Sequence, residues 1–219
     1  KPARYVGGEL NSTEKTDAQI RFALCFPDVY EIGMSHLGSR ILYNVLNSRE
    51  DTICERAYAP WPDMEKLMRE NGVPAYSLEN FRPLKEFDIV GFSLLYEMCY
   101  TNILTMLELA DIPLRAEQRG EDIPLVVCGG PCACNPEPIA PFIDLFMIGD
   151  GEELIGELVD VYKECKAKGA SRKEMLLAMS KIKGVYVPAF YAPVYDENGA
   201  FVSMNKTEPA APDMVERRV

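Results

Sequence analysis

The sequence predicts a doubly wound α/β fold: a mainly parallel, five-stranded flavodoxin-like sheet with a β-hairpin appended near its C-terminal end. Three observations carry this. The strand-like segments, such as Ile20-Arg-Phe-Ala-Leu-Cys-Phe26, are continuous apolar runs and not alternating ones, so both their faces are buried. Segments of helical period separate these runs, as the crossovers of a parallel sheet require. Beyond residue 183 the pattern changes to short strands around the turn Asp196-Glu-Asn-Gly199, which fits a hairpin.

The elements follow in order. Residues 1–19 are polar, carry Tyr5-Val-Gly-Gly-Glu9 and show no period, which predicts an irregular arm. Residues 20–26 are too short for a helix and stop at Pro27, so they form a buried strand. A loop over 27–35 follows. Apolar residues at 37, 41, 42, 45 and 46 predict a helix over 36–47, with Ser35 as its cap. Residues 52–58 are a weaker strand, Pro60-Trp-Pro-Asp63 a turn, and 64–70 a short helix stopped by Asn71-Gly72. After an irregular stretch, 87–93 is a third strand and 97–110 a helix. A fourth strand over 123–128 runs into Gly129-Gly-Pro131. The fifth is Leu145-Phe-Met-Ile148, after which Gly149-Asp-Gly-Glu-Glu153 opens a helix to about residue 168. One more helix covers 173–179. The expected organisation is an arm over 1–19, an α/β domain over 20–182, the hairpin over 183–205 and an extended linker over 206–219.

Composition narrows the function classes. The chain has 219 residues, enough for one domain with an appendage, and 47% apolar residues, enough for a full core. With 23 Lys+Arg against 34 Asp+Glu, the net charge of −11 argues against non-specific binding to DNA. No apolar run is long enough to cross a membrane. Seven cysteines, an odd number, and no secretory signal predict free thiols in a reducing, cytoplasmic setting. The chain starts at Lys1, and a trimmed natural N-terminus is expected. His36 is the only histidine, so multi-histidine metal sites are excluded.

In open α/β sheets, ligands bind beyond the carboxyl ends of the strands. Here those ends are Phe26–Gly38, Ser93–Tyr96, Cys128–Asn135 and Ile148–Glu153, where Gly and Pro concentrate. No G-x-G-x-x-G follows the first strand, and no phosphate-binding G-x-x-x-x-G-K-[ST] occurs anywhere. A helix start at Ser35 and His36 suits an anion, although a first-turn histidine with its own hydrogen bond is the simpler reading. Gly129 and Gly130 permit either close approach of a ligand or a tight turn. The acids of 149–153 are best explained as complementing a helix dipole. Cys128-Gly-Gly-Pro-Cys-Ala-Cys134 lacks a common cluster spacing and a fourth ligand, so its thiols are read as unrelated. No catalytic and no metal-ligating residue is assigned.

Taken together, the four segments resemble the N-terminal cobalamin-binding-type domain of radical S-adenosylmethionine (radical SAM) proteins. The resemblance rests on His36-Leu-Gly38 leading into Arg40-Ile-Leu-Tyr43, Phe87-Asp-Ile-Val-Gly-Phe-Ser93, Val126-Val-Cys-Gly-Gly-Pro131 and Phe142–Glu153, and it spans about residues 20–168. One subfamily is more similar still. Its members carry runs like Lys1–Glu9, Phe26–His36, Ala59–Met64 and Gly184–Pro188, followed by a radical SAM barrel with C-x-x-x-C-x-x-C. That motif is absent here, and the expectation is a chain cut before the barrel.

The resemblance implies a cobalamin on the carboxyl edge of the sheet. Its nucleotide tail would enter near Gly129 and Gly130, with Ser93 and Leu95 as a Ser-x-Leu element lining the tail pocket. His36 and Gly38 would face the corrin, and Gly149 and Gly151 would open the last helix. The cobalt-ligand pattern D-x-H-x-x-G is broken, because Met34 and Ser39 stand where it has Asp and Gly. A 4Fe-4S cluster and S-adenosylmethionine would belong to the barrel alone. The alternative is a cofactor-free docking or recruitment module, for RNA or protein, its cleft empty or plugged by apolar residues such as Leu94, Leu95 and Tyr96. A flavin protein ranks lower, because the first loop lacks a Ser/Thr-rich phosphate cradle.

Overall fold

The computed structural model describes residues 1–219. Six strands form the main sheet: β1 (Ile20–Phe26), β2 (Thr52–Tyr58), β3 (Ile89–Ser93), β4 (Leu125–Gly129), β5 (Leu145–Met147) and β6 (Val185–Tyr186). Their order is β2-β1-β3-β4-β5-β6. The first five are mutually parallel, and β6 runs antiparallel to β5 through Phe146↔Tyr186 and Met147↔Val185. The expected five-stranded parallel sheet is therefore present and extended by one short strand. The sequence pattern places Val185 and Tyr186 in the hairpin. They pair with β5 instead, because both side chains are buried there against the core.

Helices cover both faces. α2 (Leu37–Asn47), α5 (Gly151–Lys168) and α6 (Arg172–Met179) pack on one, with Phe22, Leu24, Val127 and Leu145 beneath them. α3 (Pro62–Asn71) and α4 (Tyr100–Leu109) pack on the other, over Ala23, Cys25, Val90 and Phe92. The two clusters hold 24 and 26 buried residues, so neither face of the sheet is left to solvent. This is why the strands read as continuous apolar runs.

Three local expectations change. Residues 27–35 are not all loop, because Tyr30–Ser35 form a short helix, α1. Ser35 therefore ends α1, and its hydroxyl donates to the Ile32 carbonyl at 2.8 Å instead of capping α2. The helix expected over 97–110 begins with a 3-10 turn over Glu97–Cys99, and α4 proper starts at Tyr100.

The hairpin is β7 (Tyr191–Tyr195) with β8 (Phe201–Lys206), a separate two-stranded sheet. The expected extended linker over 206–219 is instead the end of β8 followed by bends and turns over 207–214 and a short bridge at Arg218, and it is docked. Ala211 is buried, and Tyr191 donates its hydroxyl to the Pro212 carbonyl at 2.7 Å. Further on, the Arg218 amide donates to Ile148 O at 3.0 Å and the Asp150 amide to Arg218 O at 3.1 Å, a parallel bridge beside Gly149. The Arg218 guanidinium then pairs with Glu153 at 2.9 Å and Glu157 at 2.7 Å on α5.

Candidate functional site

The order 2-1-3-4-5 places the switch point between β1 and β3, where neighbouring crossovers leave on opposite faces. A cavity of about 290 Å³ opens there at the carboxyl ends of the strands, between the first turns of α2 and α5. All eight candidate residues line it: His36, Gly38, Ser93, Leu95, Gly129, Gly130, Gly149 and Gly151.

Glycines make the space. Gly38 and Gly151 sit at the starts of the two helices, so no side chain fills the gap between them. A Cβ on Gly151 would meet only Leu42, at 3.5 Å, and one on Gly129 would touch the Met147 methyl at 3.4 Å. Those positions are open toward the cavity. Gly130 is different. Its φ is +106°, and a Cβ there would lie 2.7 Å from the Leu94 carbonyl oxygen, so a turn holds this glycine. The turn is closed by Leu94 N–H donating to Gly129 O at 2.7 Å and Cys132 N–H to Leu94 O at 3.1 Å. The tight turn is present at Gly130, and Gly129 leaves space beside the cavity.

The remaining wall is apolar with an acidic rim. Leu24, Leu42, Phe92, Met147 and Ile155 line it, with Asp150 and Glu152 at the helix start. No Lys or Arg lines it. The first-turn amides of α5 attract negative charge, and these two carboxylates already answer that field. An anion would find no counter-charge here, whereas an uncharged polar or aromatic group needs none. The Ser93 hydroxyl has no hydrogen-bond partner within the protein and is available in the cavity.

His36 ends α1 and caps α2. Its Nδ1 accepts the Ser39 backbone N–H at 3.1 Å and lies 2.9 Å from the Ser39 hydroxyl. A nitrogen accepting a backbone N–H carries no proton, so in the neutral ring the proton is on Nε2. Burial holds the imidazole below its ordinary value near 6.5, which favours this neutral form. Nε2–H is then a donor. Ligation of a metal through Nε2 would require the opposite tautomer and the loss of the α2 cap.

The residues considered as a plug separate. Leu94 is fully buried in the core, and the Tyr96 hydroxyl donates to Asp28 at 2.9 Å. Only Leu95 reaches the cavity. The cysteines form no disulfide. Cys128 is buried, where desolvation pushes its thiol well up, and no group of three or more His, Cys, Asp or Glu side chains is arranged to hold a metal. Sequence reasoning missed Leu24, Leu42, Gly91 and Met147. Gly91 carried a signal, a glycine interrupting an apolar strand. It exists because the Phe22 ring lies 2.6 Å from where its Cβ would be.

Fold and cavity define a class: a doubly wound α/β domain with a ligand-sized space at its switch point. The chain belongs to the family of N-terminal domains of radical SAM proteins, whose family description matches residues 38–188. It is 27% identical over 165 residues to the uncharacterized protein MJ0966 of Methanocaldococcus jannaschii, covering 75% of this chain and 31% of that one. It is also similar to the solved structure of the radical S-adenosylmethionine methyltransferase TsrM from Kitasatospora setae, determined with tryptophan and a SAM analogue. That likeness has 16% identity and a TM-score of 0.46, and covers 82% of this chain and 29% of the other. The chain thus spans about a third of the length of each relative. No helix is long and apolar enough to cross a membrane.

Proposed function

We propose that this chain is the cofactor-positioning front domain of a cytoplasmic radical SAM enzyme, and that its carboxyl-edge cavity receives part of a cobalamin. A catalytic barrel carrying a 4Fe-4S cluster and S-adenosylmethionine would be its partner in the whole protein. Domain bounds of 1–19, 20–182 and 183–205 belong to the same reading. The observation that carries it is the convergence of eight residues from four separate loops on one cavity at the switch point.

The residues fit such a group. At about 290 Å³ the cavity is at the small end of ligand sites, so it holds a portion of a large cofactor, with the rest over the sheet edge. The open Cβ positions at Gly129 and Gly151 form the cradle, and Ser93 and His36 Nε2–H supply polar contacts. With Nδ1 capping α2, His36 would meet the group as an Nε2–H donor. Cobalamin and S-adenosylmethionine are cofactors of radical chemistry. The protein's part is to bind and orient. An open cavity, with Leu94 and Tyr96 turned away, favours this over a plugged docking module for RNA or protein.

The test is a visible absorption titration with hydroxocobalamin and methylcobalamin, on the wild-type chain and on Gly151→Trp. Gly151 is the right site because its substitution fills the cavity without straining the backbone, whereas Gly130→Trp would break the turn. A saturable spectral change in wild type, lost in Gly151→Trp and lacking a histidine-ligand signature, is expected. No spectral change with wild type would overturn the reading.

A further inference from the structure

His36 lines the cavity, and α1, the short helix that ends on it, is held from outside by the N-terminal arm. Two arm side chains reach it. The Tyr30 hydroxyl donates to Glu9, and Arg4 pairs with Glu31 at 2.6 Å. Tyr30 and Glu31 are the first two residues of α1.

The arm is itself anchored. The Arg4 guanidinium lies 4.6 Å over the Trp61 ring, and the Trp61 amide donates to the Tyr5 hydroxyl at 3.2 Å. Further along, Arg56 donates to the Ser12 hydroxyl at 3.3 Å and the Thr13 amide to the Tyr43 hydroxyl at 2.9 Å. Lys15 spans the carbonyls of Asn47 and Thr52 at 2.7 and 2.8 Å. These contacts fix the arm along β2 and the end of α2, so its grip on α1 is a grip relative to the sheet.

From the inside, α1 has a shallow seat. Gly33 lets the helix rest directly on the Tyr58 ring, and Met34 takes the Tyr58 hydroxyl at 3.0 Å on its sulfur. A six-residue helix is too short to be stable alone. Its position is therefore set by what grips it, and it ends on His36, whose ring packs 5.1 Å from Phe26.

We propose that Glu9 and Arg4 are positioning residues for His36: by holding the first turn of α1 against the sheet, the arm fixes where the imidazole stands in the cavity. The local Nδ1–Ser39 cap sets which way the ring's proton points, and the arm sets where the ring is. The consequence for a ligand rests on the reading of the cavity given above. The effect on His36 does not.

His36 is the only histidine, so its imidazole gives one resolved set of NMR signals in the 219-residue chain. The variants are Glu9→Ala, Tyr30→Phe, and Glu9→Gln, which keeps an acceptor for Tyr30. Tyr30→Phe keeps the ring packed on Tyr58, 5.7 Å away, and serves if Glu9→Ala does not fold. The expected result is that Glu9→Ala and Tyr30→Phe move the His36 Hε1 signal, because its distance from the Phe26 ring changes, and that Glu9→Gln restores it. Hydroxocobalamin affinity should fall roughly 3- to 10-fold in the first two, the size expected for losing one charge-assisted hydrogen bond at a distance. Unmoved His36 signals in Glu9→Ala and Tyr30→Phe would overturn the proposal, whatever their stability. Moved signals with no cobalamin binding even by wild type would uphold the positioning and remove the cofactor reading alone.

Discussion

At the scale of the residue, His36 joins fold and cavity through one proton. The folded ring binds a proton less readily than the unfolded one, since burial lowers its pKa from about 6.5. Its contribution is therefore complete above pH 6.5 and is lost as pH falls below that value. Protonation also takes the Nδ1 lone pair from the Ser39 amide and removes the α2 cap, an interaction typically worth about 1 kcal/mol. Asparagine caps helices without titrating. Urea unfolding at pH 7 and pH 5 should show wild type losing stability relative to His36→Asn across that interval. A constant difference between the two would show that the cap is not made by the ring. The sequence placed His36 at a helix start on the carboxyl edge, but not its double role. The residues before it, with Gly33 and no apolar period, give no signal for α1, which forms on contacts with Tyr58 and the arm. The candidate glycines were legible for a simpler reason. Glycine directly after an apolar run marks a place where backbone must turn or space must be left, and 129, 130, 149 and 151 are such places.

At the scale of the element, β4 and β5 are tied to the chain around them by one carboxylate. Asp144, buried before β5, accepts from Arg119 at 3.0 Å, Arg172 at 2.8 Å and the Val126 amide at 2.7 Å. The two guanidinium groups also donate to the carbonyls of Pro113, Leu114, Phe142, Ile123 and Pro124. A connection of irregular backbone is thus pinned beneath the sheet and to the start of α6. Asp144→Ala leaves two guanidinium groups without their partner, one of them fully buried, and should cost about 3–5 kcal/mol in denaturant unfolding. A loss under about 1 kcal/mol would show that the carbonyls alone satisfy the arginines. This network was not legible in the sequence, because Asp144, Arg119 and Arg172 are far apart and carry no shared pattern. The strands were legible because burial on both faces writes itself as an apolar run. β6 was not, since two residues are too few to show any period.

At the scale of the whole molecule, the chain holds a switch-point cavity but no C-x-x-x-C-x-x-C run, and its seven cysteines are all free. After iron–sulfur reconstitution with S-adenosylmethionine it should release no 5′-deoxyadenosine; detection of that product would place radical generation within these 219 residues. The docked C-terminal segment has a consequence of another kind, in the order of events during synthesis. Arg218 completes the backbone pairing of Ile148 and Asp150 and clamps Glu153 and Glu157, yet it is made 70 residues after Ile148. The N-terminal parts of a chain fold as they emerge from the ribosome. The β1 and β3 sides of the cavity can therefore assemble early, while the wall at Gly149 and the start of α5 stay unfastened until the tail is released. The cavity is in this sense closed late, by a segment made after every strand of the main sheet.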